Sequence, residues 1–339
     1  MEKITIQGRN NSSVIVVGES LRNLSAYIPQ NNVFLITDTH VAAHYNKWFP
    51  DFPVYVITPG EASKDLKELA SIFEWLLLNG ADRSSFIVGI GGGVVCDIAG
   101  FVASTFMRGI PFGFVASSLL AQVDASVGGK NGVNLKGYKN IIGTFTQPHF
   151  VLCDTGMLHT LPEEEFRNGM AEVIKHALIS DREKFEWLQR NRNTVLQRNE
   201  SAINYIVSRS VKIKAAVVQT DELEKGQRRL LNFGHTWGHA IEKVSKIPHG
   251  QAVAAGMVFA ASLSVQQEHL HHDEREAIMN LINDYGLPVV VELDPEKVFD
   301  AMLKDKKRER QTMHFVLLQA IGEAFVKEID LEVLKEFAL

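Results

Sequence analysis

Short runs of β-branched and aromatic residues punctuate the first half of the chain. "SVIVVG" (13–18), "VFLITD" (33–38), "VYVITPG" (54–60), "SFIVGIGGG" (85–93), "FGFVAS" (112–117) and "HFVLCD" (149–154) predict strands. Several are apolar at successive positions, as parallel strands covered by helices on both faces should be. Between the third and fourth, "SKDLKELASIFEWLLLNGA" (63–81) sets Leu66, Leu69, Phe73 and Leu76 or Leu77 on one helical stripe, with Gly80 as a stop. Alternating βα units predict an α/β domain with a largely parallel, Rossmann-like sheet.

From about Leu161 the period changes. "PEEEFRNGMAEVIKHALI" (162–179), "AINYIVSRSVKIKAAVV" (202–218), "HTWGHAIEKV" (235–244), "GQAVAAGMVFAASLSVQQ" (250–267) and "DEREAIMNLINDYG" (273–286) are helical patterns, followed by one strand-like run, "HFVLLQAIG" (314–322). The expected division is an α/β domain over 1–160 and a mainly α-helical domain over 161–339, with a cleft sought at their junction. No repeat of fixed period and no low-complexity linker interrupts the pattern.

Composition narrows the function classes. With 45% hydrophobic and 22% charged residues in 339, the chain reads as an ordinary globular protein. A formal charge of −5 argues against general nucleic-acid binding, which needs a dominant positive field. Anion binding is therefore expected to be local. The one dense cationic cluster, "KDKKRER" (304–310), reads as a solvated helix end. The start "MEKITIQG" does not resemble a secretory signal, and "AVAAGMVFAASLSV" (252–265) is too short to span a bilayer. Cys96 and Cys153 form neither a CxxC site nor a disulfide scaffold, and a reducing cytoplasm fits them.

Candidate chemistry begins at "VGIGGGVVCDIAG" (88–100), where a strand enters three glycines and then a helix. Such a turn lets backbone N–H groups approach a diphosphate, although it is not the GxGxxG fingerprint and also suits a tight structural turn. "TPGEASKD" (58–65) offers Glu61 and Lys64 at the same sheet edge. Asp38, ending "VFLITD", is placed either to bind ribose hydroxyls or to cap the next helix. "SSLLAQVDASVGGKNGVNLKGYKNIIG" (117–143) gathers Ser117, Ser118, Asp124, Lys130, Lys139 and Asn140 in a glycine-rich segment that reads as a binding loop.

In the helical half, "NFGHTWGHAIE" (232–242) puts His235 and His239 on one helix face, and "IPHGQAVAAG" supplies His249. "GMAEVIKHA" (169–177) adds Glu172 or His176. A catalytic zinc takes three such donors, and spacing leaves two triads open: Glu172, His235 and His249, or His176, His235 and His239. Lys214 falls on the inward stripe of Ile203, Ile206, Val207 and Ser210, so a buried partner is expected for it, with snorkelling as the alternative.

Taken together, "PGEASK", "GGGVVCDIAGFVA", "FMRG", "LLAQVDASVGGKNGVN", "KNIIG", "AEVIKHA", "LLNFGHTWGHAIE" and "HGQAVAAGM" closely resemble the 3-dehydroquinate synthase family, in the family's order, from about Gly18 to Gly322. The resemblance implies an NAD-binding α/β domain, a helical metal- and substrate-binding domain, a catalytic zinc or cobalt ion, and a homodimer. It places the metal on Glu172, His235 and His249, and makes His239 a proton-transfer residue. NAD would be held by Asp38, Glu61, Lys64, Gly92, Gly93, Asp97, Ser117, Ser118, Lys139 and Thr160. Substrate contacts would come from Asp124, Lys130, Asn140, Lys175, Lys214, Arg228, Asn232, His239 and one of Lys306 or Lys307. Among these, the resemblance gives catalytic roles to His239, Lys130, Lys175, Lys214, Asn140 and Arg228. Arg108 in "FMRG" would reach the partner subunit's substrate phosphate. Ala116, Ser117 and Ser118 stand where the family commonly has Pro-Thr-Thr, which keeps two hydroxyls, removes a proline and bears on cofactor affinity.

The implied reaction converts 3-deoxy-arabino-heptulosonate 7-phosphate to 3-dehydroquinate and phosphate, by transient oxidation with NAD, phosphate elimination, re-reduction and aldol closure. Its rivals are another sugar-phosphate cyclase, a metal-dependent polyol dehydrogenase with net NADH production, and a non-catalytic scaffold. No nucleic acid or membrane partner is expected.

Overall fold

A computed structural model describes residues 1–9, 11–224, 226–305 and 311–339. They divide into two units, Met1–Phe166 with Ile203–Leu223, and Arg167–Ala202 with Glu224–Leu339. The first holds strands β1 (Glu2–Gln7), β2 (Ser12–Val17), β3 (Val33–Asp38), β4 (Val54–Ile57), β5 (Phe86–Gly91), β6 (Phe112–Ala116), β7 (Lys130–Leu135), β8 (Tyr138–Phe145) and β9 (Phe150–Cys153). Seven of them form one sheet in the order β1-β2-β9-β6-β5-β3-β4. All its pairings are parallel except β1 with β2.

Burial explains the middle of this sheet. Every residue of β3 and β5 is buried, so both faces must be covered, and the continuous apolar runs satisfy that requirement. Helices α1 (Thr39–Tyr45), α2 (Leu66–Leu78) and α3 (Gly93–Thr105) follow β3, β4 and β5. The chain steps outward from β3 to β4 and then returns to the other side of β3 as β5. That reversal brings Asp38 and the Gly91–Gly93 turn to the same carboxyl edge, the place where open α/β sheets bind ligands.

Two expectations need correction here. The buried stripe of α2 is Leu69, Ile72 and Leu76, whereas Leu66 is exposed. Asp65 caps the helix by accepting from Glu68 N at 2.9 Å, so Leu66 is the first helical residue and has no preceding turn beside it. The segment 117–143 is also more ordered than a loop. A π-helical turn over Ala121–Ala125 leads to the β7–β8 hairpin, paired from Lys130↔Phe145 to Leu135↔Tyr138. Its glycines and polar residues hid the strand period: β7 buries Asn131, Gly132 and Val133 in succession, while β8 buries no residue and is defined by the backbone ladder.

The unit boundary falls inside α4 (Glu163–Ser180), which is followed by α5 (Arg182–Arg190), α6 (Arg192–Leu196) and α7 (Glu200–Thr220). The second unit continues with α8 (His235–Ser245), α9 (His249–Gln266), α10 (His272–Asp284), α11 (Pro295–Asp305) and α12 (Leu331–Ala338). The late strand-like run forms β10 (Thr312–Ala320), which pairs antiparallel with β11 (Glu323–Asp330). Among the described residues, no helix is long and apolar enough to cross a membrane.

Close helix packing in this unit depends on small residues. A Cβ on Gly256 of α9 would lie 2.0 Å from Gly234 O, and one on Gly250 would lie 2.4 Å from Asn168 O in α4. Glycine at these positions lets α9 approach both α8 and α4, which carry the candidate ligands. Gly256→Ala is therefore expected to destabilise the fold by about 1–3 kcal/mol through overpacking. Denaturant titration would check this, and an unchanged midpoint would contradict it.

Candidate active site

α8 opens with His235 after Gly234, whose φ of 79° belongs to the left-handed region. His235, His239 and Glu242 then follow at helical spacing on one face. His249 is the first residue of α9, and Glu172 lies within α4. His235 Nε2 is 3.4 Å and His249 Nε2 is 3.6 Å from Glu172 Oε1. Glu172 is fully buried, and neither of its oxygens accepts a hydrogen bond of normal geometry, although Lys175, one turn along α4, forms an ion pair with Oε2.

The electrostatics follow from this crowding. Burial opposes ionisation of Glu172, yet Lys175, His235 and His249 together hold it well below the usual carboxylate range. Burial and the Lys175 charge push His235 well below the ordinary imidazole value. Burial also acts to lower His249, but the adjacent carboxylates of Glu172 and Glu242 outweigh it and lift the group to about 9.

Donor atoms of Glu172, His235 and His249 all lie within 4.8 Å of one another. A tetrahedral zinc ion with bonds of about 2.0–2.2 Å spaces its donors roughly 3.3–3.6 Å apart, and the separations from Glu172 Oε1 match that edge. Among the described residues, His176 does not converge with His235 and His239; it is fully buried in α4. The ring of His239 instead stands 5.2 Å from that of His235, and His239, Glu242 and His249 form a second convergent set. Glu242 was not singled out in the sequence, although its place seven residues after His235 was a usable signal. In the same unit Arg228 is buried, and Asn232 Nδ2 donates to Glu224 Oε1 at 2.8 Å.

The first unit holds its own polar group of residues. α3 begins at Gly93 with Gly92 as its N-cap and no side-chain hydrogen bond there. Buried Lys64 pairs with Asp97, and burial nevertheless raises the Asp97 carboxyl to about 6 against the pull of that lysine. Asp38 caps α1 through Oδ1, accepting from Val41 N at 2.9 Å, and a cap made by one carboxylate oxygen is compatible with ribose binding by the other. Glu61 accepts from Asn134 Nδ2 at 2.7 Å, Thr160 Oγ1 is 2.6 Å from Tyr45 Oη, and Ser118 Oγ accepts from Ala121 N at 3.2 Å. Ser117 is buried beside it in sequence.

Lys214 is buried and is paired rather than snorkelling, although its partner is only half-buried: its ammonium donates to Asp124 Oδ1 at 2.6 Å and to Asp124 O at 2.7 Å. Lys130, Lys139 and Asn140 sit exposed on the hairpin, where Asn140 N donates to Asn134 Oδ1 at 2.8 Å. Arg108 is exposed just after α3. Lys306 and Lys307 lie outside the described residues.

Two family models match adjoining parts of this chain: 3-dehydroquinate synthase N-terminal over residues 54–168 and 3-dehydroquinate synthase C-terminal over 169–308. The chain belongs to the 3-dehydroquinate synthase family. A family member from Nitrosomonas europaea, 3-dehydroquinate synthase, is 40% identical over 331 residues, covering 93% of this chain and 90% of that one. Solved structures with the same fold include a 2-deoxy-scyllo-inosose synthase complexed with carbaglucose-6-phosphate, NAD+ and Co2+, at TM-score 0.88 and 26% identity, covering 99% of both chains. Another is the 2-epi-5-epi-valiolone synthase from Streptomyces hygroscopicus subsp. jinggangensis 5008 with NAD+ and Zn2+, at TM-score 0.88 and 25% identity, covering 98% of this chain and 96% of that one. Membership of this family accounts for both the parallel sheet and the helical second half.

Proposed function

We propose that the chain is a 3-dehydroquinate synthase, a lyase that converts 3-deoxy-arabino-heptulosonate 7-phosphate to 3-dehydroquinate and phosphate in aromatic amino-acid biosynthesis. The observation that carries this reading is the convergence of Glu172, His235 and His249 in a chain of that family. One carboxylate and two imidazoles at ion-compatible separations suit zinc or cobalt. NAD suits an α/β domain over 1–160, which lies within the first unit: the helix start at Gly92 and Gly93 lacks a side-chain cap and follows a glycine turn, as suits a diphosphate site.

When bound, NAD supplies a hydride acceptor that is restored in each turnover, and the metal supplies positive charge to a substrate oxygen. Glu172, His235 and His249 would hold the ion, and Asp38, Glu61, Lys64, Asp97, Ser117, Ser118, Lys139 and Thr160 would join the glycine turn around NAD. Asp124, Asn140 and Asn232 would orient the substrate. Lys130, Lys175, Lys214 and Arg228 would meet its carboxylate and phosphate, stabilising the charge that grows as phosphate leaves. His239 stands next to the ligand set and would hold or move the substrate's proton.

The reading extends to a homodimer in the cytoplasm, with Arg108 serving the partner subunit's phosphate site. Buried, unpaired Cys96 and Cys153 suit a reducing compartment. Exposure of Arg108 supports its role, as does its backbone: Met107, Arg108 and Gly109 have φ of 48°, 74° and 110°, a costly run that surrounding structure must hold.

Incubating the purified protein with NAD and the heptulosonate phosphate is expected to release phosphate while the absorbance of NADH stays flat. Stoichiometric NADH would favour the polyol dehydrogenase, and phosphate release from a hexose 6-phosphate alone would favour another sugar-phosphate cyclase.

A further inference from the structure

Both imidazoles that face Glu172 are held from behind. His235 Nδ1 lies 3.2 Å from Phe233 O, and His249 Nδ1 lies 3.5 Å from Glu242 Oε2. The Nε2 atom of each ring is the one turned toward Glu172 Oε1. A neutral imidazole carries one N–H and one lone pair, so a ring nitrogen beside a pure acceptor keeps the proton and the other nitrogen presents its lone pair. For His235 the acceptor is a backbone carbonyl two residues away. For His249 it is a side chain on another helix, and that side chain is largely buried.

We propose that Glu242 is a positioning residue for His249. Its Oε2 accepts from Nδ1–H and, in the metal-loaded protein where Nε2 is deprotonated, fixes the ring with the Nε2 lone pair toward the ligand set. α8 then contributes one ligand, His235, and orients a second from α9. The close approach of α8 and α9 at Gly256 holds the separation between Glu242 and His249. Carboxylates behind metal-bound imidazoles act in this way in general, orienting the ring and raising its basicity. The inference rests on the reading of Glu172, His235 and His249 as the metal ligands.

The test uses the full chain and Co2+ as the probe. Chelator competition gives the affinity, and the visible d–d spectrum reports the ligand field. Glu242→Ala is expected to weaken Co2+ binding about 10–100-fold and to change the spectrum. Glu242→Gln should recover most of the affinity, because its amide oxygen still accepts from Nδ1–H. Unchanged affinity and spectrum in Glu242→Ala would overturn the proposal. Equal losses in the alanine and glutamine variants would also overturn it, in favour of a purely coulombic effect. So would two Co2+ per wild-type chain with one lost in Glu242→Ala, since His239, Glu242 and His249 would then be a second ion site.

Glu172→Gln, measured in parallel, separates this proposal from the reading beneath it. Retention of Co2+ there would remove the metal assignment itself, whereas its loss there beside intact binding in Glu242→Ala would remove only the role of Glu242. Should the alanine variant not fold by circular dichroism, the wild type decides. Its Co2+ form is expected to show a hyperfine-shifted, solvent-exchangeable N–H resonance for His249 that shifts in Glu242→Gln, and absence of that resonance would refute the tautomer.

Discussion

His235→Ala and Glu172→Gln are each expected to lower turnover by at least about 10²–10³-fold, the usual cost of removing charge stabilisation at a reacting oxygen, and to strip metal from the purified protein. His239→Ala should keep its metal near the wild-type content while turnover falls about 10²–10⁴-fold, the range for a lost general acid or base. The contrast comes from one helix face: His235 Nε2 faces Glu172, whereas His239 is outside that set. Glu172→Gln carries a second penalty. Lys175 is 1% exposed and would lose the anion paired with it, a defect worth about 3–5 kcal/mol for a buried pair. Its thermal midpoint should therefore fall, and His235→Ala, which leaves that ion pair in place, tests the metal assignment without this complication. Elemental analysis of the three variants decides the matter: metal loss in His239→Ala equal to that in His235→Ala would defeat the division of roles.

The choice between His235 and His239 shows where sequence reasoning stops. Helical spacing places both on one face, and no local rule says which of them meets a residue 60 or more positions away. That is decided by packing: Gly250 brings the start of α9 against Asn168, and Gly256 brings α9 against Gly234, so His249 and His235 arrive at the same carboxylate. The parallel strands were legible because burial on two faces demands unbroken apolar runs, as in β3 and β5. β1 was not: its residues are mostly half-exposed or exposed, with Ile6 alone buried, so no apolar run announces it. The β7–β8 hairpin escaped for a related reason, since β8 buries no residue and its ladder is backbone alone. β11 likewise offers no buried run until Ile329.

Arg108→Ala should mainly weaken substrate binding, raising KM more than it changes NAD affinity, because a guanidinium offers phosphate a planar two-pronged contact that alanine lacks. Arg108 stands at an exposed turn after α3, away from the β5–α3 glycine turn at that helix's other end, so a role in holding NAD is not expected of it. If the proposed contact crosses a dimer, a sharper result follows. Lys214 is tied to Asp124 within its own chain, and Lys214→Ala should inactivate the site of the subunit that carries it. Mixing inactive Arg108→Ala with inactive Lys214→Ala and refolding the mixture should then regenerate activity. In a mixed dimer the Arg108→Ala subunit keeps its own Lys214 and receives the partner's arginine, while the other site lacks both. Random pairing makes half of the dimers mixed, each with one good site, so recovery to about a quarter of wild-type activity is expected. No recovery after heterodimers have been verified would return Arg108 to its own subunit, where the left-handed Met107–Gly109 turn alone would have to account for it.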